Sequence, residues 1–143
     1  MLMKFYTNGA LEQFISQGRA DRERIKLRLS MDMARGLRFM HIKGVAHCDI
    51  KPANILVDQD YRETYSCVLT DFGIAQMYSE NAQLVRAFKV VNLRGVSIEY
   101  AAPEAITRYR EQGNVTKQLA LAGDVYSFGM VLFRLLKAGD GLW

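Results

Sequence analysis

Ile25, Leu29, Met33, Leu37 and Met40 recur at steps of four, four, four and three. That spacing keeps them on one stripe of an α-helix. Asp21 suits the N-cap of this helix and Glu23 its first turn, where a negative charge meets the positive end of the helix dipole. Lys43-Gly44 supplies the stop, since glycine enters the left-handed region without a Cβ clash. Ahead of the helix, "TNG" at 7–9 signals a turn, and Leu11, Phe14 and Ile15 form one face of a shorter amphipathic segment.

Beyond Gly44 the period changes. "ILV" (55–57) and "CVLT" (67–70) are short, apolar and rich in β-formers, so they predict two small strands joined by the polar loop "DQDYRETYS". From Asp71 to about Gly95 no period holds, and a long irregular segment of that kind is usually functional or mobile. Pro103 fits the first turn of a short helix to about Arg108. Asp124 reads as the N-cap of a last helix through about Lys137. Val125, Phe128, Val131, Leu132, Leu135 and Leu136 make it apolar nearly all round, which predicts a place in the centre of the fold. The fold class expected is mainly α (α+β), with one small two-stranded β element.

The chain has 143 residues, enough for one domain with a modest core. Its net charge is +4, with lysines and arginines spread out, so nucleic acid is not an expected partner. Two cysteines, Cys48 and Cys67, without C-x-x-C spacing, argue against a disulfide framework or a zinc site and for a reducing, intracellular, cytoplasmic setting. "MLMKFYTNG" is not patterned as a signal peptide. "VYSFGMVLFRLL" is shorter than the roughly 20 residues a membrane span needs, so no membrane insertion is expected.

Candidate chemistry gathers around "HCDIKPAN" at 47–54. Asn54 leads into the first strand, and the second strand ends at Asp71-Phe72-Gly73. Pairing the two strand ends would bring Asn54 and Asp71 to one spot. An amide oxygen and a carboxylate are hard ligands suited to Mg²⁺, which keeps most of its waters. Asp49 would reach a hydroxyl to orient and deprotonate, and Lys51 could neutralise a transferring phosphoryl group. Phosphoryl transfer needs this kit of positioning and electrostatics, with little covalent work.

"HCDIKPAN", "DFG" at 71–73, "APE" at 102–104 and "DVYSFG" at 124–129 together resemble the protein-kinase signature set, in its order and spacing. The resemblance implies a kinase large-lobe core using ATP and Mg²⁺ on protein substrates with Ser or Thr hydroxyls. Asp49 would be the catalytic base, Lys51 the contact to the γ-phosphate, and Asn54 and Asp71 the metal ligands. Lysine at 51 is the serine/threonine form, and "DVYSFGMVL" is similar to the tyrosine kinase-like group. By the same resemblance Met3 is the gatekeeper, Tyr6 offers backbone groups to adenine, and Leu56 floors the adenine ring. Ser97 resembles the P+1-loop hydroxyl that touches the catalytic Asp and Lys. His47 and Phe72 would stack in an apolar column anchored through Asp124. Gly73 completes the DFG motif and Glu104 the APE motif. His41 reads as structural and Cys67 as a small buried hydrophobe.

Two departures from the pattern matter. Cys48 stands where most of the family has an arginine that pairs with an activation-segment phosphate, which a thiol cannot do. Control without that phosphate is therefore expected, despite Tyr78 and Ser79. A reactive role for Cys48 is disfavoured, because flanking Asp49 raises a thiol pKa. The second departure is extent: no G-x-G-x-x-G loop, strand lysine or helix glutamate lies within these residues. They read as a partial kinase domain over 1–143, with the small lobe absent and phosphate transfer by the segment alone not expected. The alternative is a non-catalytic kinase-like binding or scaffold module.

Overall fold

A computed structural model describes residues 6–77, 97–110 and 116–139. In chain order the elements are α1 (Leu11–Ser16), α2 (Glu23–Ile42), β1 (Val45–Ala46), a 3₁₀ turn (Pro52–Asn54), β2 (Ile55–Gln59), β3 (Tyr65–Leu69), β4 (Gln76–Met77), α3 (Pro103–Arg110) and α4 (Lys117–Lys137). The class is mainly α with little β, as the periodicity implied.

On α2 the expected stripe faces inward: Leu29, Met33, Leu37 and Met40 are buried and Ile25 packs against them. The helix begins one residue later than expected, with Arg22 at the N-cap and no side-chain cap. Asp21 is therefore not the cap. Its carboxylate lies beside Gly18 and Gly139, where an added Cβ would stand 3.5 and 3.2 Å from its oxygens.

β2 and β3 pair antiparallel, Ile55 opposite Leu69 and Gln59 opposite Tyr65. Ile55, Val57 and Cys67 face α2, which makes a helix-on-sheet layer with Leu29 and Met33. Residues 8–10 run along the other edge of β2: the Asn8 N–H donates to Val57 O at 3.2 Å and the Val57 N–H to Gly9 O at 2.8 Å. A second antiparallel pair, β1 with β4, stands apart from the first. Its β4 lies inside the stretch expected to be irregular; two residues per strand are too few to show a period.

The last helix corrects the sequence reading twice. It begins at Lys117, capped by the Thr116 hydroxyl, which accepts the Leu119 N–H at 3.3 Å. Asp124 therefore lies mid-helix; Gly123 before it mimics a boundary but is tolerated within the helix. The helix is also not covered all round. Ala120, Val131 and Leu135 are buried, while Val125, Tyr126, Phe133 and Leu136 are 41–55% exposed among the described residues. At 21 residues it is long and apolar enough to cross a membrane by length and composition, a test that core helices also pass. Here it packs on α2. Buried Lys26 of α2 donates to Leu136 O (2.9 Å) and Ala138 O (2.6 Å), satisfying carbonyls that a helix end leaves orphaned.

Candidate active site

The loop from His47 to Asn54 runs between β1 and β2, and its shape is set by groups distant in sequence. Asp124 is 1% exposed. Its Oδ2 accepts the His47 backbone N–H at 2.7 Å and its Oδ1 the Cys48 N–H at 2.8 Å. His41, in the last turn of α2, places Nε2 2.9 Å from Asp124 Oδ2. Three donors thus compensate a carboxylate whose burial without partners would be costly. The two backbone bonds hold a bend in which Cys48 takes φ 67°, a left-handed conformation uncommon outside glycine.

The fully buried His47 ring ties the loop to the end of β3. Its Nε2 lies 2.9 Å from Thr70 O, and its Nδ1 accepts the Asp49 N–H at 3.3 Å. A carbonyl can only accept and an N–H can only donate, so the ring hydrogen sits on Nε2. The same ring lies 5.2 Å from Phe72, tilted by 42°.

Asp49 is 9% exposed. Its Oδ2 receives Lys51 Nζ at 2.7 Å and Asn54 Nδ2 at 2.9 Å. Asn54 Nδ2 also donates to the Asp49 carbonyl at 2.9 Å. Both side-chain bonds fall on one oxygen of Asp49, leaving Oδ1 for a further donor. Committing Nδ2 to Asp49 turns the Asn54 carboxamide oxygen the other way. The β2–β3 register then continues one step, with the Thr70 N–H on Asn54 O at 2.9 Å, so Thr70 stands opposite Asn54 and Asp71 is the next residue along the chain. Asp71 is exposed, at φ 62°, and its Oδ1 accepts the Gly73 N–H at 3.2 Å.

The expected residues fall into three groups. Asp49, Lys51 and Asn54 share one hydrogen-bonded cluster. His47, Cys48 and Asp124 form the anchor beneath it, with Phe72 on the His47 ring. Leu56 is half-buried on the face of β2 opposite Ile55 and Val57 and bridges to Ala10; nearby Tyr6 closes a turn through its carbonyl, which accepts the Gly9 N–H at 3.3 Å. The structure does not bring Ser97 to the cluster: its carbonyl closes a turn with the Tyr100 and Ala101 N–H groups, and its hydroxyl has no bond to Asp49 or Lys51 among the described residues. Glu104 is exposed in the first turn of α3, without an ion pair among the described residues. Met3, Tyr78 and Ser79 lie outside the described residues.

No group of three His, Cys, Asp or Glu side chains able to hold a metal occurs among the described residues. Asn54 and Asp71 instead offer two hard oxygens from adjoining strand ends, a donor set that fits Mg²⁺ with waters completing its shell. The Cys48 thiol is pushed up to about 12 by burial, then by the nearby carboxylate of Asp124, with Asp49 adding to it. Cys67 is likewise raised to about 12 by burial and by Asp32. Neither is a thiolate near neutral pH. Sequence reasoning missed the pairing of His41 with Asp124, which joins positions 83 residues apart and leaves no periodic trace.

A family model described as the protein kinase domain matches residues 1–140. Among curated proteins, the chain is 38% identical over 115 residues to the LRR receptor-like serine/threonine-protein kinase EFR of Arabidopsis thaliana, covering 77% of this chain and 10% of that protein. It is 34% identical over 138 residues to the dual specificity testis-specific protein kinase 1 of Homo sapiens, covering 94% and 20%. It is 30% identical over 139 residues to the G-type lectin S-receptor-like serine/threonine-protein kinase LECRK4 of Oryza sativa subsp. indica, covering 95% and 15%. The chain thus spans a fifth or less of the length of these relatives.

Proposed function

Because the chain belongs to the protein kinase family, we propose that it carries the catalytic loop and metal-binding residues of a serine/threonine kinase, which transfers the γ-phosphate of ATP to a protein hydroxyl. The observation that supports this most directly is the cluster in which Lys51 Nζ and Asn54 Nδ2 meet Asp49 Oδ2 at 2.7 and 2.9 Å. Asp49, held by both neighbours, orients an incoming hydroxyl and accepts its proton. Lys51 places a positive charge beside the oxygen that attacks, where charge shifts during transfer. Asn54 and Asp71 would hold the metal, which when bound would neutralise phosphate charge. Leu56 would give the adenine an apolar floor and Tyr6 its backbone groups.

Cys48 in place of arginine supports control that does not depend on a phosphate in the segment after Asp71. The 143 residues lack a glycine-rich loop and its strand lysine, so this segment by itself does not transfer phosphate.

The test is phosphate transfer from Mg·ATP to casein by the full-length polypeptide. Asp49→Asn should lower the rate about 10²–10⁴-fold, the usual worth of a general base, with the thermal unfolding transition retained. Transfer by wild type no faster than by Asp49→Asn would sink the proposal.

A further inference from the structure

The 97–101 turn is fastened at two levels. Its backbone closes on itself, with Ser97 O accepting the Tyr100 N–H at 3.0 Å and the Ala101 N–H at 3.2 Å. Tyr100 then reaches into the core, while Ile98 and Glu99 beside it are exposed. A phenol buried in this way needs a partner for its hydroxyl. Arg134 of α4 is that partner, donating to it through Nη1. The other arm of the same guanidinium, Nη2, lies 3.6 Å from Glu12 Oε1 on α1. In turn, α1 packs against the Pro52–Asn54 turn that ends the catalytic loop. Arg134 lies ten residues beyond Asp124 on α4, about 15 Å along the helix axis. One helix therefore holds both the loop, through Asp124, and the turn, through Arg134. A planar fork with its two arms on separate partners sets direction as well as distance, unlike the point charge of a lysine.

We propose that Arg134 is a positioning residue for the protein substrate, bridging Tyr100 and Glu12 so that the 97–101 turn keeps a fixed offset from the Asp49 cluster. This rests on the kinase reading, in which the turn is the P+1 loop that meets the substrate. Its two contacts contribute unequally. The pair with Glu12 joins side chains 33% and 50% exposed, so water screens it and its worth is small. The bond to Tyr100 is sheltered, and its loss strands a buried hydroxyl. Tyr100 therefore carries the placement, and Glu12 keeps the second arm of the fork from swinging. Arg134 touches no reacting group and acts through Tyr100. A displaced turn would misplace a bound protein without disturbing Asp49, Lys51 and Asn54, whose bonds are made among themselves. Loss of Arg134 should therefore fall on the KM for protein and spare the KM for ATP.

The test uses the full-length polypeptide and two readouts: hydrogen exchange at the Tyr100 and Ala101 amides without nucleotide or substrate, and phosphate transfer from Mg·ATP to casein. Arg134→Met keeps the apolar stem and removes both arms; Tyr100→Phe removes only the hydroxyl. Each should speed exchange at both amides about three- to tenfold, the worth of one hydrogen bond. The double variant should go no further, since both changes delete the same bond. The Cys48 amide, held by Asp124 on the same helix, should keep its wild-type rate. The KM for casein should rise about three- to tenfold in both single variants, with the KM for ATP unchanged. Unchanged exchange in either single variant, or additive effects in the double variant, overturns the bridge. Acceleration at Cys48 as well overturns it, because α4 would then have loosened as a whole. Faster exchange with an unaltered KM for casein, or an equal rise in the KM for ATP, overturns the substrate-side role. If wild type transfers nothing to casein, the kinase reading fails, and exchange still decides whether Arg134 holds the turn.

Discussion

The layer between α2 and the β2–β3 pair and the loop from His47 to Asn54 are neighbours held by different forces. In the layer, Leu29, Met33 and Leu37 meet Ile55, Val57 and Cys67, all nearly or fully buried. Burial of that kind is strong and non-directional, and it tolerates one apolar shape for another. The loop buries His47, Asp49 and Asn54, with Asp124 beneath them, and places each through bonds between 2.7 and 3.3 Å. Such bonds are directional, and losing one partner strands the other. The layer supplies stability; the loop converts it into geometry. The coupling runs through the helices, since α2 carries both Leu29 and His41, and α4 carries both Val131 and Asp124.

This contrast predicts different responses to substitution. Asp124→Ala should have the largest effect, about 3–5 kcal/mol in denaturant unfolding of the full-length polypeptide, because it leaves two loop N–H groups without their acceptor. Asp124→Asn should recover little, since an amide can present only one oxygen where the loop uses two. A loss below about 1 kcal/mol would mean the loop keeps its shape unaided, and the contrast would fail. In the layer, Leu29→Ala should cost about 2–5 kcal/mol for lost burial plus the cavity, but Leu29→Met less than about 1.5 kcal/mol. The conservative change thus rescues the layer and not the anchor.

The same division explains what could be read from the sequence. Periodicity reports apolar burial, so α2, β2 and β3 were legible from Leu29, Met33, Ile55 and Cys67 alone. Asp49, Lys51 and Asn54, singled out as a chemical set, share one hydrogen-bonded cluster, and the strand pairing that puts Thr70 opposite Asn54 followed from two short apolar runs. The start of α4 was misread because Asp124 carries the chemistry of an N-cap, and nothing local shows that its carboxylate is spent on His47 and Cys48 instead. The β1–β4 pair and the His41 contact were invisible for a related reason. Both are made between segments about 30 and 83 residues apart, by groups with no repeating pattern.

Lys26 tests the boundary between the two regimes, since a charged group sits on the apolar side of α2. Lys26→Met keeps the buried stem but removes the donor to Leu136 O and Ala138 O. The expected cost is about 1–3 kcal/mol, read as a shift in urea midpoint with little change in slope. A neutral result would mean that water satisfies those carbonyls as well as the ammonium does.

The smallest effect is a slope with pH that both regimes share. Cys48 and Cys67 are each raised from the ordinary 9.0 to about 12. Above pH 9 the unfolded chain loses thiol protons that the folded chain keeps, so the unfolded state binds fewer protons and stability falls as pH rises. Each thiol should take away about 1 kcal/mol between pH 8 and pH 10. Urea unfolding of Cys67→Ala at both pH values should show about half of the wild-type fall. The two thiols differ in what protects them after burial: Asp32 for Cys67, Asp124 and Asp49 for Cys48. Asp32→Asn in the wild-type background should therefore weaken only the Cys67 share of the slope. If it also removed the share that survives in Cys67→Ala, the layer and the loop would not be separable as described.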